Sequence, residues 1–270
     1  MNTTGVAQSV LSISSPGVFF GDAGAAIELA RLCNDFALNE CGQSKGRFLL
    51  FGALPLPEVG AAIAEAKRVL DAGAVGIAVL SNTGGVYLGD PLYEPLWQLL
   101  DERRAVVHIH PTAPPVGREL SLGRPLPMIE FVFDEARTVT DLMFAGVLLR
   151  YPGIRFIVTH SGGALPLLVD RVDLFREGVL GIHDGSPETT ARDQLGRLWF
   201  DSAGTPLPTS MATLADVVGT ERLLFGSDYC FTHASLAQSH ATRIAQHDAR
   251  VAGSPWESLY AVNGQDLFGS

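Results

Sequence analysis

Short apolar runs alternate with longer amphipathic runs along this chain of 270 residues, and that alternation limits its fold more than any other feature. Seven of the apolar runs have the length and composition of buried strands. They cover residues 6–13, 47–54, 74–80, 105–110, 154–160, 198–203 and 222–228. Helical segments lie between them, so the sequence predicts βαβ units and a parallel sheet.

The amphipathic runs have the periodicity of helices. In the segment PEVGAAIAEAKRVLDAG, apolar side chains recur at steps of three and four residues, and Gly73 supplies a stop. Farther along, Asp134 is predicted to cap a helix whose apolar stripe runs from Val139 to Val147. The Tyr-Pro-Gly sequence at 151–153 is expected to end that helix.

A parallel sheet with intervening helices can be an open, doubly wound sheet or a closed barrel. No Gly-x-Gly-x-x-Gly motif follows the first strand, which removes the main support for a dinucleotide-binding open sheet. The predicted fold is therefore of the α/β class, a TIM-like (β/α)8 barrel that forms a single domain over residues 1–270. Seven strands leave this barrel one strand short. Residues 111–127 and 181–194 are the least regular stretches and are expected to form lids or insertions.

Composition excludes several classes of partner. The 19 basic and 29 acidic residues give a formal net charge of −10, which disfavours binding to nucleic acid. Cys33, Cys41 and Cys230 have no C-x-x-C spacing, so a disulfide framework is not expected and a reducing compartment fits. No run reaches the roughly 18 apolar residues that a membrane span requires, and the first residues lack a signal-peptide pattern. We expect a soluble, cytoplasmic protein.

Polar residues end four successive predicted strands, each after a run that is otherwise almost entirely apolar. They are His110, His160, Asp201 and Asp228. Because the active sites of β/α barrels lie at the carboxyl ends of the strands, these side chains are expected to converge. Imidazole and carboxylate groups suit zinc, manganese or iron as ligands, and they also suit proton transfer.

Each of these residues also has a structural interpretation. His110 could bond a loop carbonyl, His160 could be a turn residue, and Asp228 could cap the next helix. For Asp201 two roles stay open, capping a helix and lining a pocket. His108 faces the same side of its strand as His110 and is predicted to be a core histidine, or one that supports a metal ligand, rather than a ligand itself. Four polar residues at the same end of successive strands are harder to explain by structure alone, which favours a functional site.

Four motifs give the chain a resemblance to a known superfamily. They are HIHP at 108–111, RYPGIRFIVTHSGGALP at 150–166, LLFGSDY at 223–229 and YAVNGQDLFG at 260–269. With them the sequence resembles the amidohydrolase superfamily, and within it the metal-dependent aromatic-acid decarboxylases over nearly the whole chain. That branch includes aminocarboxymuconate-semialdehyde, γ-resorcylate and 6-methylsalicylate decarboxylases, and the segments SVLSISSPGV and LSNTGGVYLGDP look most like the last of these.

The resemblance implies a distorted (β/α)8 barrel that holds one divalent metal, usually zinc with manganese as the alternative, and needs no organic cofactor. In the family pattern the histidine before proline on strand five is a metal ligand, which corresponds to His110. The aspartate of the Gly-Ser-Asp motif on strand eight is another ligand and corresponds to Asp228. The histidine of the His-x-Gly-Gly motif on strand six corresponds to His160, a catalytic acid or base that lies beside the metal or contacts it.

The sequence departs from the family pattern at its start. The family begins with a first strand that carries His-x-His or Glu-x-His and supplies two further ligands, whereas the first histidine here is His108. The chain starts where the family's second strand is expected. A truncated chain, a neighbouring chain that covers the gap and an inactive relative are the alternatives, of which truncation is favoured.

The resemblance implies non-oxidative decarboxylation of a hydroxylated aromatic carboxylic acid such as 6-methylsalicylate. His160 or Asp228 would protonate the ring carbon that bears the carboxyl group, and Arg137 could pair with a substrate carboxylate. Two alternatives stay open: metal-dependent hydrolysis of a lactone or amide, and an inactive barrel that binds a ligand or partner. Relatives also suggest a homodimer.

Overall fold

The computed structural model describes most of the chain, and its main strands fall where the apolar runs predict them. The described residues are 1–179, 181, 189–204, 206–246, 248–249 and 254–269. Among them the seven parallel strands are β1 (Ser9–Leu11), β2 (Phe48–Ala53), β3 (Gly76–Leu80), β4 (Val106–His110), β5 (Arg155–Val158), β6 (Trp199–Asp201) and β7 (Leu223–Leu224). Every strand lies inside its predicted run but is shorter than the run.

The described residues form two units, and each contains part of the parallel sheet. The first unit is Met1 with Val6–Phe156, and the second is Asn2–Gly5 with Ile157–Ser270. In the first unit β1, β2, β3 and β4 are neighbours in that order. In the second unit β5, β6 and β7 are neighbours in that order. The boundary falls inside β5, and a single domain over residues 1–270 stays a prediction.

Helices follow every strand, as the βαβ pattern requires. In the first unit they are α1 (Ala23–Gln43), α2 (Val59–Asp71), α3 (Glu94–Glu102), α4 (Gly117–Leu120), α5 (Leu126–Phe144) and α6 (Val147–Arg150). In the second they are α7 (Leu165–Asp173), α8 (Ala191–Leu195), α9 (Met211–Val218), α10 (Ala234–Ala245) and α11 (Trp256–Phe268). Of the stretch 181–194, residues 182–188 lie outside the described residues.

Shorter elements complete the described chain. Single turns of 3-10 helix are Asn2–Thr4, Pro91–Tyr93 and His160–Gly162, and wider π turns are Leu174–Val179 and Pro206–Ser210. Two antiparallel pairs join Asn82–Thr83 to Val86–Tyr87 and Asp248–Ala249 to Ser254–Pro255. In the part of the chain that the structure describes, no helix combines the length and apolar character needed to cross a membrane.

Strand β4 carries two histidines on one face of the sheet. Val106, Val107 and Ile109 are buried, whereas His108 and His110 are half-buried and alternate with them. The His108 ring stacks on Phe51 of β2 with 5.2 Å between ring centroids. That contact gives His108 the core role predicted from its position.

The prediction that Asp134 caps a helix is wrong, because α5 begins at Leu126 and Asp134 lies inside it. A proline follows in the first turn of α5, where a backbone N–H has no partner within the helix, so the Pro-rich sequence starts the helix. Asp134 is fully buried and accepts hydrogen bonds from four side chains. The donors are Ser81 Oγ (2.5 Å), Asn82 Nδ2 (2.8 Å), Tyr87 Oη (2.5 Å) and Arg137 (2.5 Å).

Replacing Asp134 by alanine is expected to lower the free energy of unfolding by about 3–5 kcal/mol, because buried Ser81 and Asn82 both lose their acceptor. Urea unfolding followed by circular dichroism measures the loss. Asp71→Ala is the matched control, since Asp71 pairs with Arg103 at the surface with its side chain 62% exposed, and such a pair contributes little. Equal losses for the two variants would contradict the buried role of Asp134.

Candidate metal centre

His110 is the last residue of β4 in the first unit, because Pro111 has no N–H with which to continue the strand. The Nδ1 of His110 lies 2.7 Å from the carbonyl oxygen of Pro111. A carbonyl only accepts, so Nδ1 is the donor in this contact, and in the neutral imidazole Nε2 then carries the lone pair. That tautomer, held by a backbone carbonyl, is the form in which histidine binds a metal. The loop-carbonyl bond is therefore present and also suits a ligand.

His160 follows β5 in the second unit and begins a tight turn. His160 and Ser161 have φ values of 48° and 57°, a left-handed conformation that is uncommon for residues other than glycine. Gly162 comes next, and a side chain there would approach the Phe200 ring to 3.0 Å. Ser161 is buried and its hydroxyl donates to Met211 Sδ at 3.0 Å. The turn thus needs both its small residues and an outside restraint to hold the imidazole in place.

Asp201 supplies that restraint. It is the last residue of β6 and only 8% exposed. Its Oδ1 accepts the backbone N–H of His160 at 3.0 Å and that of Ala203 at 2.9 Å. Gly226 permits the close approach of the chain after β7, because a side chain there would lie 2.8 Å from the Asp201 carboxyl carbon. Asp201 therefore fixes the backbone around His160.

Asp228 lies beside His160 in the second unit. Asp228 also has a positive φ, 52°, and its carboxylate oxygen and a His160 ring nitrogen are within 4.8 Å of each other. Burial raises the pKa of the Asp228 carboxyl and the charge of Asp201 adds to this, whereas His160 and the Thr232 hydroxyl oppose it. The next helix, α10, is capped by His233, so the helix-cap interpretation of Asp228 is wrong.

Arg137, the predicted substrate-binding residue, lies on α5 in the first unit. Its guanidinium donates to Asp134 at 2.5 Å and lies 5.9 Å from the centroid of the Tyr87 ring. Burial is the main cause that raises the pKa of Tyr87 to about 12, and the hydrogen bond that its hydroxyl donates to Asp134 is the second. The Arg137 side chain is still 46% exposed. Its role in substrate binding stays a prediction.

The donor atoms suit a divalent cation. The second unit brings an imidazole and a carboxylate together, and β4 of the first unit ends in a second imidazole with a defined tautomer. Imidazole and carboxylate oxygen are ligands for zinc and manganese. The carboxylates of Asp201 and Asp228 also lie near each other and are partly buried. A bound cation would stabilise their two negative charges.

A β/α fold with imidazole and carboxylate groups at the carboxyl ends of parallel strands is typical of β/α-barrel enzymes. The family model for amidohydrolases (Amidohydro_2) matches residues 7–250. The chain therefore belongs to the amidohydrolase family.

Curated relatives of the chain are carboxy-lyases, among them decarboxylases of hydroxylated aromatic acids. The 6-methylsalicylic acid decarboxylase of Aspergillus aculeatus is 31% identical over 237 residues, which is 84% of this chain and 71% of that protein. The γ-resorcylate decarboxylase of a Rhizobium species is 30% identical over 98% of this chain and 86% of its own length. The predicted decarboxylase branch of the superfamily is confirmed.

Solved structures confirm the fold class. An amidohydrolase crystal structure is similar over 100% of this chain and 86% of its own, with a TM-score of 0.91 and 28% identity. A 2,6-dihydroxybenzoate decarboxylase bound to 2,6-dihydroxybenzoate covers the same shares, with a TM-score of 0.86 and 26% identity. A dihydroxybenzoic acid decarboxylase of a Polaromonas species, at 24% identity and a TM-score of 0.86, contains manganese. The chain thus has the TIM-like (β/α)8 barrel fold of the amidohydrolases.

Two variants of Asp201 test whether the oxygen that accepts the backbone N–H groups is what positions His160 for metal binding. Asp201→Asn keeps a carbonyl oxygen that can accept both N–H groups, whereas Asp201→Ala removes it. Loss of a residue that orients a metal ligand costs about 10–100-fold in metal affinity, so we expect this loss for alanine and little change for asparagine. Titration of the metal-depleted protein with Co²⁺, followed by its visible absorption, measures both. Equal affinities in the two variants would show that Asp201 does not position His160.

Proposed function

We propose that this protein catalyses the non-oxidative decarboxylation of a hydroxylated aromatic carboxylic acid and releases CO2. The observation that carries the proposal is the His160–Asp228 pair at the carboxyl ends of β5 and β7, with ligand atoms within 4.8 Å. An acid–base group beside a carboxylate is what proton transfer to a ring carbon requires. The relatives that share 30–31% identity are named for this reaction.

In this proposal His110 and Asp228 hold one divalent metal, zinc or manganese. The Nε2 lone pair of His110 and the carboxylate of Asp228 supply the ligand atoms. When bound, the metal supplies Lewis acidity and a fixed orientation for the substrate carboxylate and a neighbouring oxygen. Two ligands from this chain, with His160 beside them, leave positions for the substrate.

His160 then acts as the general acid. Its imidazolium delivers a proton to the ring carbon that bears the carboxyl group, which interrupts aromaticity. The bond between that carbon and the carboxyl group breaks, its electron pair returns to the ring, and CO2 leaves. The charge of Asp228, which lies beside His160, stabilises the protonated imidazole. Protonation of the ring carbon by Asp228 in place of His160 is the alternative.

Decarboxylation and metal content test this proposal together. The purified protein, dialysed and reloaded with Mn²⁺ or Zn²⁺, is expected to release CO2 from 6-methylsalicylate or 2,6-dihydroxybenzoate. His110→Ala is expected to lose most of its metal by elemental analysis and at least about 100-fold in rate, because a ligand is gone. His240→Ala on α10 is the matched histidine control and should keep both.

Three results would overturn the proposal. Turnover of aryl lactones without CO2 release would identify a hydrolase on the same scaffold. A folded protein that takes up no metal would show that these residues do not form a metal site. Unchanged metal content and rate in His110→Ala would remove His110 from the site.

We also propose that Arg137 binds the carboxylate of the substrate. Asp134 holds the arginine near the carboxyl end of β3, because the same carboxylate accepts from Ser81 and Asn82 directly after that strand. A guanidinium fixed in this way pairs with a carboxylate through two parallel hydrogen bonds. About half of the side chain is exposed, which leaves it accessible.

Arg137→Lys is expected to raise KM about 10-fold or more with a smaller effect on kcat, because lysine cannot form the paired bonds. Steady-state kinetics on the preferred acid measures this split. Arg150→Lys is the matched control, since Arg150 also pairs with a carboxylate, that of Glu94, and its side chain is 48% exposed. The same KM in both variants would exclude Arg137 from substrate binding.

A further inference from the structure

A small apolar cavity lies at the carboxyl ends of β1, β2 and β3 in the first unit. It encloses about 20 Å³, which is room for a single group the size of a water molecule or a methyl group. Side chains of Ile13, Val18, Phe19, Ala53 and Leu80 contribute to its walls. Among the residues that line it, Thr83 is the one with a polar side chain.

The cavity lies next to His110. In the parallel register of the first unit, Leu80 of β3 is paired with His110 of β4, and Ala78 is paired with His108. Adjacent strands are about 4.8 Å apart, and paired residues project to the same face of a sheet. Two wall residues of the cavity, Ala78 and Leu80, therefore share a face with the proposed metal ligand and adjoin it.

The walls of the cavity are held in place before any ligand binds. Asn34 of α1 donates to the Ala53 carbonyl at 2.9 Å and accepts the Ala53 N–H at 2.8 Å, which fixes the end of β2. The hydroxyl of Ser15 lies 2.8 Å from that of Thr112, so the loop after β1 is tied to the segment after His110. Gly17 packs so closely on Leu80 that a side chain there would approach it to 2.8 Å.

On the basis of the function proposed above, we infer that this cavity binds a small alkyl substituent of the aromatic ring. It thereby makes alkyl-substituted hydroxybenzoic acids preferred over dihydroxybenzoic acids. A methyl group fits the volume and the apolar walls. A hydroxyl group in the same place would lose its water, and Thr83 is the one polar side chain among the lining residues that could replace it.

Equilibrium binding of three acids to the metal-loaded protein, measured by calorimetry, tests this inference directly. We expect 6-methylsalicylate to bind about 10-fold more tightly than salicylate, which is the usual gain from one methyl group in an apolar pocket. It should also bind more tightly than 2,6-dihydroxybenzoate. The same order is expected in kcat/KM. Equal affinities for the three acids, or tightest binding of the dihydroxy acid, would overturn the inference.

Variants locate the preference in the cavity. Ile13→Ala enlarges it from a side chain that is already 39% exposed, so the fold should tolerate the change and the preference should move from 6-methyl to 6-ethylsalicylate. Thr83→Val should leave the alkyl preference intact. Leu92→Ala, 48% exposed in the first unit and not part of the cavity wall, is the matched control and should change nothing. An identical alkyl preference in Ile13→Ala would place the determinant elsewhere.

The outcome also distinguishes this inference from the proposed function. CO2 release from all three acids without an alkyl preference would leave the decarboxylase function standing and overturn the inference alone. Selective binding of 6-methylsalicylate without CO2 release would support the cavity and overturn the decarboxylase function.

Discussion

The hydrogen bonds that Asp201 accepts from two backbone N–H groups determine the arrangement of the second unit around His160. The turn that carries His160 uses left-handed backbone at two non-glycine positions, which costs free energy unless neighbouring groups restrain it. Asp201 restrains it from the next strand, and Gly226 lets the strand after that approach closely. Three successive strand ends thus depend on one buried carboxylate.

In the first unit a buried carboxylate likewise orients a side chain of the predicted site, Arg137. Asp134 is buried and accepts bonds from Ser81, Asn82 and Tyr87, which fixes the segment after β3, and it also fixes Arg137. In both units a buried carboxylate orients a neighbouring residue of the predicted site. The side chains and turns are therefore ordered when the protein folds. Less conformational entropy is then lost when a ligand binds.

Local patterns in the sequence were sufficient for the positions of the strands and for His110 and Asp201 as last residues of two of them. The strands β5 and β7 end earlier, at Val158 and Leu224, so that His160 and Asp228 lie in the segments that follow them. A proline after His110 and glycines after His160 mark the strand ends, and they are visible without a structure. Asp134 and Asp201 could not be assigned, because their partners are distant in sequence. Ser81 lies 53 positions from Asp134, and His160 lies 41 positions from Asp201. A capping signal depends on neighbouring residues only, so it gave Asp134 the wrong role.

The electrostatics of the second unit explain why such a site favours a cation. Burial and the nearby charge of Asp201 both disfavour the ionised form of Asp228, while His160 and Thr232 compensate only partly. A divalent ion would offset the repulsion between the two carboxylates and favour the ionised form of Asp228, which is the form that a ligand needs.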